Sequence, residues 1–160
     1  MRDTLSFLAI VLLLCCGCSS VAPTDSHANA SGPTAQITRR LDEIFDSVQK
    51  KDFPRLDSYH LYGPQFTKFS PSGLGREDAE ASRKGEHAGI ASATVVSMSA
   101  DDLKIDPFGN TAIATFILTY TVKTADTVTD KKVRTTMVFA RDHGDWKIAH
   151  EHLSLYTPKS

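Results

Sequence analysis

The stretch that most limits what this chain can become is TAIATFILTYTV, Thr111 to Val122. Apolar side chains recur at every second position: Ala112, Ala114, Phe116, Leu118 and Tyr120 share one side, and Ile113, Ile117 and four threonines share the other. A period of two with β-branched and aromatic residues is a strand with one buried face, and it cannot be read as a helix. FGN before it and TADTVTD after it are turn signals. KVRTTMVFAR and WKIAHEHLSLY follow as two more strand-like runs, joined by the short turn DHGD. Upstream, TVVSMSADDLKI is a strand interrupted by acidic residues.

The segment before these strands has a different period. Ile37, Leu41, Ile44, Phe45 and Val48 fall at helical spacing, with Arg39, Arg40, Asp42, Glu43 and Lys50 mostly opposite. A short second helix is expected from Asp52 as its N-cap, with Pro54 tolerated in the first turn. YGPQFTKFSPSG breaks the helical pattern and reads as a short strand within loops. GREDAEASRKGEHAGIAS, Gly75 to Ser92, has helical composition but a poor apolar face, and Gly85 and Gly89 each cost roughly 1 kcal/mol against alanine. The expectation is an α+β domain, with three helices packed on one face of a curved sheet dominated by three long antiparallel strands.

The chain of 160 residues is long enough for one domain core. Its net charge of −1 leaves no basic excess for phosphate, so nucleic acid is not an expected partner. Leu5 to Leu14 is an apolar run interrupted only by Ser6, about half the ~20 residues that span a bilayer. That length suits the hydrophobic region of a signal peptide. All three cysteines follow in LCCGCSS, as Cys15, Cys16 and Cys18. The segment resembles a bacterial lipoprotein signal, which implies cleavage after Gly17 and lipidation of Cys18. Cys15 stands where that pattern usually has leucine. Residues 1–18 are thus expected to be the signal, 19–33 a flexible tether, and 34–157 the folded domain. Ser19 lacks the acidic retention signal, which implies an outer-membrane anchor facing the periplasm.

GPQFTKF (Gly63 to Phe69), FGNTAIATF (Phe108 to Phe116), VRTTMVFAR (Val133 to Arg141) and GDWKIAHEHLS (Gly144 to Ser154) resemble the SnoaL-like branch of the nuclear transport factor 2-like superfamily. The tryptophan and H-x-H-x-S ending is also similar to the association domain of calcium/calmodulin-dependent protein kinase. The resemblance implies a cone-shaped, cystatin-like fold, a bent sheet wrapped around a pocket closed by helices, and often a homodimer. Because the superfamily holds isomerases, dehydratases and cyclases beside binding and assembly domains, it does not select a function.

Unbroken alternation along the last strand would place Trp146, Ile148, His150, His152, Ser154 and Tyr156 on one face. Trp146 belongs in the core, so both histidines are expected on the pocket wall, about 6.6 Å apart. His152 and His150 are the candidate catalytic residues, as a general base and its orienting partner, with a tyrosine donating to a substrate oxygen. Trp146, Tyr120, Tyr62, Tyr59, Arg134 and Ser154 are candidate binding residues. Arg134 enters through the resemblance, in which a basic residue there can reach the pocket mouth. Two plainer readings compete: both histidines are satisfied core groups, or the pocket binds a ligand without chemistry. A third makes the pair a metal chelate, which needs another ligand such as His60, His87 or a carboxylate. No metal and no cofactor is expected. Glu77, Asp78, Glu80 and Glu86 read as a solvated helix face. Ile113, Ile117, Ala149, Leu153 and Leu155 form an apolar stripe on the outer side, which would suit a homodimer.

Three functions remain open: a non-catalytic small-molecule pocket on an envelope lipoprotein, a lyase or isomerase using a pocket histidine, and a dimeric assembly module. Lipidation makes a direct prediction. Labelled palmitate should enter the protein, which should fractionate with membranes, and Cys18→Ala should abolish both. Continued lipidation of that variant would move the anchor to Cys16, and a wholly soluble wild-type protein would refute it.

Overall fold

The computed structural model describes residues 31–71 and 73–156. The signal, Cys18 and most of the tether lie outside that range. Helix α1 spans Pro33–Lys50 and α2 spans Phe53–Ser58, followed by strand β1 at Thr67–Phe69 and helix α3 at Ala79–Ser92. Four strands complete the chain: β2 Thr94–Phe108, β3 Thr111–Thr124, β4 Thr127–Asp142 and β5 Asp145–Leu155. They form one five-stranded sheet of order β1-β5-β4-β3-β2. The α+β reading holds, and the short strand expected within YGPQFTKFSPSG is β1, between α2 and α3. One refinement is that β1 pairs with β5 in parallel, so the sheet is mixed.

The local chemistry explains these elements. Pro33 sits at the start of α1, where its missing N–H costs nothing. Asp52 caps α2 by accepting a bond from the Arg55 amide, and Asp78 caps α3 through the Ala81 amide. The β4–β5 turn has His143 and Gly144 both at positive φ, 50° and 96°, as a tight hairpin demands. Helix α1 lays Ile37, Leu41, Ile44, Phe45 and Val48 on the inner face of the sheet, where Phe45 meets Phe116 edge-on at 6.5 Å. Each such buried side chain contributes about 1.5–3 kcal/mol. On β3, Ala112, Ala114, Phe116 and Leu118 point into this core, as their alternation requires.

Strand β5 departs from alternation at one residue. Phe139 of β4 pairs with Ile148, but Val138 pairs with His150, so Ala149 is an extra, unpaired residue. This β-bulge reverses the faces beyond it. Trp146 and Ile148 are buried before the bulge, and Glu151 is buried after it, at 3% exposure. His150 and His152 therefore face outward on the convex side, not into the pocket. The same reversal turns Leu153 inward and sets Leu155 opposite inward-facing Val133. The outer apolar stripe thus keeps Ile113 and Ile117 but loses both leucines.

Substitution should expose this difference. Trp146 is 2% exposed and its indole N–H donates to Gln36 Oε1 at 3.0 Å. Trp146→Ala should cost about 3–5 kcal/mol in chemical denaturation. Exposed His152→Ala should cost no more than about 0.5 kcal/mol. A loss at His152 as large as that at Trp146 would contradict the bulged register.

Candidate functional site

A cavity of about 540 Å³ lies between α3 and the concave face of the sheet. Its walls are apolar: Val48 from α1, Ile90 from α3, Met98 from β2, Leu118 from β3, Val133 from β4 and Leu153 from β5. Tyr120 lines it as well, and burial pushes the Tyr120 phenol pKa up. Helix α3 turns a stripe of Ser82, Gly85, Glu86, Gly89 and Ile90 toward the space. The spacing of three and four residues makes one helix face, and its small side chains leave the volume open. Only Ser82 of α3 is fully buried.

Lys68 and Glu86 form the polar end. Lys68 lies directly opposite Glu151 in the β1–β5 register. Its ammonium sits 2.6 Å from Glu151 Oε2 and 3.7 Å from Glu86 Oε1, with all three side chains at most 17% exposed. Behind this pair is His60, on the segment that hydrogen-bonds with β5 on both sides of Ile148. His60 Nδ1 lies 3.0 Å from the Leu56 carbonyl oxygen, so Nδ1 carries the donating proton. Its Nε2 stands 3.9 Å from both Glu86 Oε2 and Glu151 Oε1. Tyr62 stacks on the imidazole at 4.7 Å, with planes 4° apart, and donates from its hydroxyl to Glu86 Oε2 at 3.2 Å.

Charge sets the protonation of this cluster. Burial alone would raise the Glu151 pKa, but the Lys68 ammonium and His60 outweigh it and hold the carboxyl well below its usual range. Burial alone would lower Lys68, but Glu151 and Glu86 outweigh it and hold the ammonium well above its usual range. For His60 burial again lowers the pKa, and the carboxylates of Glu151 and Glu86 with the Leu56 carbonyl reverse the shift upward. Burial, then the same two carboxylates, push the Tyr62 phenol far up. Near neutral pH, Lys68 is therefore a fixed cation and Tyr62 a fixed donor. Neither can serve as a free base or an amine nucleophile.

The expected site residues are scattered. His150 Nδ1 bonds the Thr67 hydroxyl at 2.8 Å, and His152 lies against Phe69 at 5.7 Å, both on the convex face. No histidine lines the cavity among the described residues. Trp146 is core. Tyr59 is buried under the Arg40 guanidinium, 4.5 Å from its ring centre. Arg134 bonds the Leu155 carbonyl at 3.1 Å and packs on Tyr156, away from the cavity. Ser154, opposite Arg134, is on the same convex face. Tyr62 reaches the site only through Glu86 and His60. Sequence reasoning missed Lys68, Glu86 and Glu151. Lys68 had a signal, two residues after buried Phe66 on the same strand face. Glu151 was hidden by the assumption of unbroken alternation. Glu86 is not a solvated residue, and Asp78 is a helix cap.

A profile for the SnoaL-like domain matches residues 23–158, so the chain belongs to that family. Solved structures agree on the fold. A nuclear transport factor 2-like superfamily protein from Salmonella enterica superposes with a TM-score of 0.69 at 19% identity, over 79% of this chain and 92% of that one. An NTF2-like protein from Cytophaga hutchinsonii gives 0.65 at 15%, over 78% and 99%. The CaMKII hub homology domain from Chlamydomonas reinhardtii gives 0.66 at 15%, over 79% and 99%. A comparison with curated protein sequences returned no match.

Breaking the buried pair should be costly. Glu151→Gln leaves the Lys68 charge without its nearest partner and should destabilise the fold by about 3–5 kcal/mol at neutral pH. The sign of its pH dependence follows from the lowered pKa: the stabilisation is present above the ordinary carboxylate pKa and is lost as pH falls through the folded value. Urea midpoints measured from pH 7 downward should therefore fall more steeply for wild type than for Glu151→Gln.

Proposed function

We propose that this chain is a ligand-binding domain, lipid-anchored in the cell envelope, whose cavity takes a small, mostly apolar molecule with one polar end against Lys68 and Glu86. The cavity itself carries this reading. Its volume lies in the range of drug-sized ligands, much of its wall is aliphatic, and Lys68 and Glu86 place a buried pair of opposite charges on it. A binding role is favoured over acid–base chemistry because Lys68 and Tyr62 are locked in one protonation state and the strand histidines face away. A stand-off tether and a lipid at Cys18 would hold such a pocket near the membrane, where apolar molecules are found. Ile113, Ile117 and Val138 on the convex face favour a homodimer that leaves the cavity free.

Gly89 provides a clean test. It lines the cavity, and a Cβ added there meets nothing within 4 Å. Gly89→Phe should fill the space, and α3 should tolerate it, since glycine is the poorer helix former. The neutral dye N-phenyl-1-naphthylamine should bind wild type saturably, one per chain. The variant should lose at least tenfold in affinity with an unchanged or raised denaturation midpoint. Absence of saturable binding to wild type, or equal binding by Gly89→Phe, would sink this reading.

A further inference from the structure

We propose that His60, Glu86 and Glu151 form a binding site for one divalent transition-metal cation, of the zinc or cobalt type, behind the polar end of the cavity. The three come from separate elements: the segment after α2, helix α3 and strand β5. One ligand-type atom from each lies within 4.8 Å of the other two.

His60 Nε2 points to a ligand. It is buried, on a side chain 1% exposed, and has no hydrogen-bond partner among the described residues. Buried ring nitrogens normally find one. The opposite nitrogen is tied to the Leu56 carbonyl, as is usual for metal-binding histidines, whose second N–H is held by a backbone oxygen or carboxylate. That tie leaves Nε2 with its lone pair free when the ring is neutral.

The charge of the cluster leaves room for one more cation. Two carboxylates face one ammonium, so with a neutral imidazole the buried group keeps one negative charge uncompensated. A proton on Nε2 would supply the charge but not the geometry. Both carboxylate oxygens are 3.9 Å away, whereas an N–H···O bond needs about 2.9 Å. A tetrahedral ion about 2.1 Å from each ligand sets ligand atoms roughly 3.4 Å apart, which is nearer the 3.9 Å observed from His60 Nε2.

The remaining contacts fit a supporting shell. Lys68 approaches Glu151 Oε2 and Glu86 Oε1, while His60 faces Glu151 Oε1 and Glu86 Oε2. Each carboxylate thus separates the ammonium from the ion and is oriented by it. Tyr62 donates to Glu86 from the other side. Glu86 also lines the cavity, so one of the two carboxylates is reached from it. One nitrogen with two carboxylate oxygens suits a borderline ion better than calcium or magnesium.

The test is a titration of the full chain with Co²⁺ alone, followed by displacement with Zn²⁺. Wild type should take up one Co²⁺ per chain, with visible d–d absorption of a low-symmetry site. Glu151→Gln and His60→Asn should each weaken uptake by tenfold or more. Lys68→Met keeps all three ligands, so it should retain saturable uptake of one Co²⁺ per chain. That variant would separate loss of a ligand from loss of fold, with circular dichroism as the check. The double variant His150→Ala, His152→Ala changes only the convex face and should leave uptake unchanged. The proposal is overturned if wild type shows no saturable uptake, if Glu151→Gln binds as well as wild type, or if the convex-face double variant abolishes uptake. Co²⁺ uptake needs no cavity ligand, so its result is independent of the dye-binding result.

Discussion

The contact between Lys68 and Glu151 holds together parts of the molecule that have little else in common. It is made between register partners on β1 and β5, a three-residue edge strand and the strand beside it. Taking both charges out of water is expensive, and only close approach with further polar contacts offsets it. Those contacts come from Glu86 on α3 and from His60 beyond β1's other end. A hydrophobic pair in the same place could match the stability, but it would not select these neighbours. The ion pair therefore specifies where α3 and the segment after α2 settle, and through them where the cavity opens.

The bulge at Ala149 makes that contact possible. With unbroken alternation, Glu151 would face outward and the imidazoles of His150 and His152 would fill the interior. One extra residue exchanges the two sets. The segment around Tyr59 and Leu61 clasps Ile148 just before the bulge, donating to its carbonyl at 2.8 Å and accepting from its amide at 2.8 Å. Strand β1 then resumes pairing just after it, from His150 onward. Two pieces of one chain thus bracket the irregularity and keep it in register.

Helix α3 shows the complementary economy. It brings one fully buried side chain and almost no apolar face. Polar ties fasten it instead: Glu86 to Tyr62 and Lys68, His87 to Asp57 at 2.8 Å, and the Ala91 carbonyl to Lys51 at 3.2 Å. A helix held this way covers space without filling it, which is why a cavity survives beneath. It also belongs to the low-stability end of the molecule, where binding surfaces and openings are found.

Most of the scaffold was legible in the amino-acid sequence, because periodicity is a local property. Ile37 to Val48 could only be an amphipathic helix, Ala112 to Tyr120 could only be a half-buried strand, and Asp52 marked the start of α2. The motifs GPQFTKF and GDWKIAHEHLS pointed to the SnoaL-like family that the chain belongs to. The site was not legible in the same way. Which face His150 and Glu151 take depends on one unpaired alanine, and a bulge is set by the neighbouring strand's register. Glu86 lies on a helix that reads as solvated until Lys68, from another strand, arrives to pair with it. Local periodicity determined the elements and the core of this protein. Only tertiary pairing decided which charges were buried together, since each charge became affordable inside only when its partner, distant in the chain, was already in place.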